Sequence, residues 1–86
     1  MAGFNWQRMP VVLTSGPYRL FFYSDEGNEP LHVHVERENK EAKFWMEPVR
    51  LASAGAFGAA EIRRIERIVT RHKQAIIRRW HEHFES

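Results

Sequence analysis

The sequence predicts an α+β domain, a three- to four-stranded antiparallel sheet with one long C-terminal helix packed on one face. Three observations lead there. The first half of the chain alternates apolar and polar residues with a period of two, and turn-forming residues interrupt that alternation at short intervals. From about Ala59 the apolar period lengthens to that of a helix and holds to Phe84.

Element by element, Pro10 to Thr14 reads as a short strand, Ser15-Gly16-Pro17 as a turn, and Tyr18 to Ser24 as an aromatic-rich strand suited to a pleated surface. Asp25 to Pro30 breaks the pattern: Gly27 and Asn28 tolerate positive φ, and Pro30 cannot donate to a central ladder. Leu31 to Arg37 resumes as a strand and Glu38-Asn39-Lys40 turns the chain. Glu41 to Glu47 returns with Ala42, Phe44 and Met46 alternating against Lys43 and Trp45, and Pro48 to Ala52 is a last short strand or an extended crossing. Ser53 to Gly58 is the turn into the helix. At 100° per residue Ile62, Ile65, Val69, His72, Ile76, Trp80 and Phe84 share one side, so a single helix from about Ala59 to Phe84 would span roughly 40 Å. A kink near Thr70 to Lys73 is compatible with this pattern. Residues 9–86 form the domain in this reading, and residues 1–8 an extension.

With 86 residues there is room for one small domain, and every large apolar residue counts toward its core. The absence of cysteine rules out disulfides and thiolate metal sites, so any metal must rest on His, Asp and Glu. A cytoplasmic location is the simplest expectation, because Met1 to Arg8 lacks the apolar run of a signal peptide and no stretch is apolar enough to cross a bilayer. Net charge is only +2, but it is unevenly spread: acidic residues concentrate in the first part of the chain and arginines in the last third.

The leading functional candidates are His32 and His34. Residues two apart on a strand share a face and lie roughly 6.5 to 7 Å apart, close enough for both imidazoles to converge on one ion, phosphate or scissile bond. As metal ligands they would need a third donor from Glu36, Glu47, Asp25, Glu26 or Glu29; no other cofactor is expected, a divalent metal being the exception. As an acid–base pair they would cleave RNA without metal, with Lys43 or an arginine stabilising the transition state. The bland alternative is a solvated surface pair. With Val33 and Val35 in the core, both rings are expected on an exposed face away from the helix, beside Lys43 and Trp45 and rimmed by Glu29 and Pro30.

Glu41-Ala42-Lys43 matches the Glu-x-Lys tail of many metal-dependent nucleases, but Pro30 and Leu31 stand where that chemistry needs an Asp. Lys43 with Trp45 suits a mixed aromatic and cationic binding surface better. On the helix, Arg63, Arg67, Arg71 and Arg78 form a stripe able to follow phosphates, the alternative being a solubilising outer face. His72 belongs to the border of the core. His81 and His83, two apart on a helix, do not share a face.

The run Glu29-Pro30-Leu31-His32-Val33-His34-Val35 resembles a small bacterial family, domain of unknown function 4160. So do Ala42 to Val49 with its Lys-Phe-Trp core, Glu61 to Ile65, and the closing Trp80-His81-Glu82-His83-Phe84. Phe21 to Pro30 also follows that family's pattern, whereas Leu31 replaces its commoner proline. The resemblance implies a compact mixed domain encoded beside a second small protein, in pairs resembling toxin and antitoxin modules. The expected function is therefore a binding module that contacts an operon-encoded partner protein, nucleic acid, or a second copy of itself. The surfaces that would serve are the His/Lys/Trp sheet face and the Arg-rich helix. A metal-independent RNase using His32 and His34, and a histidine-based metal-binding domain, are the alternatives.

Overall fold

The computed structural model describes residues 12–85. The N-terminal extension read at 1–8, and the first residues of the strand expected from Pro10, lie outside the described residues. Five strands follow in order: β1 Leu13–Ser15, β2 Tyr18–Phe21, β3 His32–Arg37, β4 Lys40–Met46 and β5 Val49–Ser53. Two helices complete the chain, α1 Ala59–Arg71 and α2 Lys73–Phe84. The strands pair in sequence order, each antiparallel to the last. The architecture is thus the expected α+β one, with five strands rather than three or four and two helices rather than one.

Local chemistry accounts for the turns. Gly16, at φ 55°, takes the left-handed conformation required at the head of the two-residue β1–β2 connection, and Pro17 completes it. Between β3 and β4, where Arg37 faces Lys40, Glu38 carries the positive φ at 58°. The fifth strand arises because Val49 and Leu51 pair with Met46 and Phe44, extending the sheet where the sequence allowed either a strand or a crossing.

One face of the sheet is the core. Leu20, Val33, Val35, Ala42, Phe44 and Met46 are buried in one cluster with Ile62, Ile65, Ile68, Val69, Ile76 and Trp80 of the helices. The single-helix expectation fails at His72, whose φ of −102° and ψ of 18° interrupt the helix although neither Gly nor Pro is present. Hydrogen bonding bridges the break, His72 N–H to Ile68 O and Ile76 N–H to His72 O. Beyond the break, α2 sets Trp80 against the rings of Phe22 and His32, with centroids at 5.2 and 5.1 Å.

Glu61, in the first turn of α1, ties the layers together. It accepts hydrogen bonds from Tyr18 Oη of β2 (2.8 Å) and from Arg37 Nε and Nη2 of β3 (2.6 and 2.9 Å). The Arg37 bond, and after it the Tyr18 bond, hold its carboxyl down at about 2 against an ordinary 4.5; Lys40 adds favourable charge. Because the folded value lies below the unfolded one, this stabilisation is full above about pH 4.5 and is lost as pH falls toward 2. Thermal melts are therefore expected to drop across that acid window, and Glu61→Gln to flatten the drop. An unchanged acid limb in the variant would remove Glu61 from that role.

Candidate functional site

Strand register sets the site. His32 faces Trp45, which faces Arg50, and His34 lies between Phe21 and Lys43, so these six residues occupy neighbouring rows of the sheet face opposite the valine core. His32 and His34 thus share a face with Lys43 and Trp45. They are not exposed, however: His32 is wholly buried and His34 is 6% exposed. Two causes overturn the expectation of a solvated face away from the helix. Trp80 of α2 abuts the His32 ring, and the turn from Tyr23 to Leu31 folds Glu26 onto both imidazoles.

The resulting cluster is closely bonded. His32 Nδ1 lies 2.9 Å from the Pro30 carbonyl oxygen, and its Nε2 lies 2.8 Å from Glu26 Oε1. His34 Nε2 sits 2.9 and 3.0 Å from the two Glu26 oxygens, while its Nδ1 is 3.2 Å from Glu41 Oε2. Tyr23 donates its phenol to both oxygens of Glu41 at 2.9 and 3.0 Å. Phe21 stacks on the His34 ring, with centroids at 5.4 Å. Among the described residues no buried side-chain nitrogen or oxygen is left without a partner.

Burial alone would raise the Glu26 carboxyl, but hydrogen bonds and charge from the two imidazoles outweigh it and the net shift is downward. Burial lowers His34, with Glu26 opposing in part, and the net direction is toward the neutral ring.

Of the five carboxylates considered as partners of the pair, Glu26 makes the contact. Glu36 bonds Arg19 instead, and Asp25 is exposed in the turn. Glu29 takes Lys43 Nζ at 2.9 Å and lies 3.9 Å from His32 Nδ1. Lys43 in turn stands 4.5 Å over the Trp45 ring, so its ammonium is engaged by Glu29 and Trp45 rather than directed at the imidazoles. Trp45 is half-buried and lines a concavity with Pro30, Leu31, Glu47 and Arg50.

Glu41 and Tyr23 were missed as partners of the histidines. Alternation would have found Glu41, two residues before Lys43 on the same face, but nothing local brings Tyr23 to it. Arg63, Arg67, Arg71 and Arg78 are all exposed. Arg63, Arg67 and Arg71 border one shallow groove of α1, whereas Arg78 belongs to α2, beyond the break at His72.

Fold and site together define a small five-stranded meander backed by a bent helical pair, with a sealed imidazole–carboxylate cluster beneath an aromatic and cationic face. The chain belongs to the family described as Domain of unknown function (DUF4160), whose profile matches residues 18–81, well over half of its length. Neither the curated proteins nor the solved structures contain a match. Among the described residues no helix is long and apolar enough to cross a membrane.

Proposed function

We propose that this domain is a binding module, one component of a bacterial gene pair of the toxin–antitoxin type, and that it engages its partner protein through the face around Trp45. The observation that carries this reading is the division of labour on that face. The imidazoles are turned inward, with ring nitrogens set against Pro30, Glu26 and Glu41, while Trp45 remains half-exposed with Lys43 over its ring and Arg50 beside it. An aromatic residue flanked by cations above a concavity is typical of a binding hot spot. The RNase reading instead requires both imidazoles to reach one phosphate, and this geometry favours it less.

The exposed guanidinium groups of Arg63, Arg67 and Arg71 along one groove support a second surface, for an acidic partner or nucleic-acid phosphates. The test is co-purification of the chain with the product of its neighbouring gene. Trp45→Ala and Arg50→Gln are expected to weaken the complex by at least about tenfold each, with folding of the half-buried Trp45 variant checked by circular dichroism. Binding unaffected by both substitutions would take the face out of consideration. Loss of affinity in an Arg63→Gln/Arg67→Gln/Arg71→Gln variant, steepest at low salt, would move the contact to α1.

A further inference from the structure

We infer that Glu26, His32 and His34 form a binding site for one divalent transition-metal ion of the zinc, cobalt, nickel or iron class. The argument begins with donors and acceptors. The Pro30 carbonyl can only accept, so His32 Nδ1, 2.9 Å away, carries a hydrogen and donates it. The carboxylate of Glu41, 3.2 Å from His34 Nδ1 and itself held by the Tyr23 phenol, favours the hydrogen on that nitrogen too. With Nδ1 so engaged, each Nε2 is the ring atom directed at Glu26, where in the absence of an ion it donates a hydrogen to the carboxylate. A divalent cation can take the place of those hydrogens, so that two ring nitrogens and a carboxylate converge on it with release of protons.

Geometry agrees. The three ligand atoms lie within 4.8 Å of one another. An ion with ligands at about 2.0 to 2.1 Å in a tetrahedron holds them about 3.4 Å apart. The Glu26 oxygen, 2.8 and 2.9 Å from the two nitrogens, would retreat by about half an ångström, and the two Nε2 atoms, within 4.8 Å of each other, would settle to the same spacing to admit the ion. Glu26 rides on a turn, where its Oε1 also accepts a 3.3 Å hydrogen bond from Tyr23 N–H that the movement would give up, while the histidines sit in a central strand.

The surroundings are those of a metal site as well. Metal-bound imidazoles commonly donate their other N–H to a backbone carbonyl or a carboxylate; His32 has such a partner in the Pro30 carbonyl, and the Glu41 carboxylate stands 3.2 Å from His34 Nδ1 as its ion-pair partner. Two nitrogens and one carboxylate without thiolate suit these borderline ions better than calcium or magnesium, which prefer all-oxygen shells. Three protein ligands leave a further position for a small oxygen donor. A bound ion would also join the turn carrying Glu26 to β3.

The test is titration of EDTA-stripped, full-length protein with Co2+, followed by its visible absorption, and with Zn2+, followed by calorimetry and melting temperature. One ion per chain, with a rise in melting temperature, is expected. Glu26→Gln, which preserves the shape of the side chain, should lower affinity by at least about 100-fold and His34→Gln by as much or more, each checked for folding by circular dichroism. Glu41→Gln, which acts through His34, should cost about 10- to 100-fold. His81→Gln/His83→Gln should leave binding intact. Absence of uptake by the folded wild-type chain, uptake unchanged in folded Glu26→Gln, or uptake lost with His81 and His83 would each overturn the site.

Discussion

Trp80→Ala is expected to cost about 3 to 5 kcal/mol of folding stability, the range for emptying the space of a large buried aromatic side chain. Trp80 is 4% exposed and fills the corner where α2, the sheet and the 23–31 turn meet. Its ring touches Phe22 at 5.2 Å, His32 at 5.1 Å and Phe84 at 4.4 Å. Gly27 passes close to Phe84, so the loss would spread to the turn that presents Glu26. Urea denaturation reads the effect as a fall in midpoint. A loss below about 1 kcal/mol would mean that α2 does not depend on this anchor for its docking.

Gly55→Ala should be comparably damaging for a different reason. Gly55 has a φ of 59°, and a Cβ added there would collide with the backbone oxygen of Glu41, an atom held in the sheet. Left-handed strain of about 1 to 2 kcal/mol and an overpacking cost of about 1 to 3 kcal/mol together predict a loss of about 2 to 5 kcal/mol. Gly16→Ala separates the two contributions. Gly16 has a φ of 55°, but its Cβ would meet nothing within 4 Å, so only the strain applies. Equal losses at the two positions, measured by the same denaturation, would show that the approach of Gly55 to Glu41 does not matter. Because Glu41 flanks His34, Gly55→Ala is also expected to disturb the cluster.

The face assignments were legible because alternation in a strand is geometric. Once Val33 and Val35 are inside, His32, His34, Lys43 and Trp45 must lie together on the other face, and the register pairs them so. Burial of Ile65, Val69, Ile76 and Trp80 followed equally from helical spacing. What alternation could not reveal was that the second face is covered. A period of two distinguishes two faces; it does not say which of them water reaches. His32 is buried because Trp80, 48 positions later in the chain, and Glu26, six positions earlier, both close on it.

The bend at His72 and the choice of Glu26 among five nearby carboxylates have the same origin. His72 is a poorer helix former than Arg71 and Lys73 but ranks with Val69 and Thr70, which are helical, so propensity alone does not set the break. Asp25, Glu26 and Glu29 all occupy one short turn, and the hydrogen-bonded path of that turn, with Glu26 N–H to Tyr23 O and Glu29 N–H to Glu26 O, decides which carboxylate points inward. By itself, then, the sequence determined the α+β class, the faces of the strands, the apolar side of the helices and the pairing of the histidines, all products of local periodicity. Tertiary structure alone decided that the histidines are sealed, that Glu26, Glu41 and Tyr23 complete their environment, and that Trp45 is left at the surface. Those outcomes depend on contacts between distant segments, whose energies no local pattern encodes.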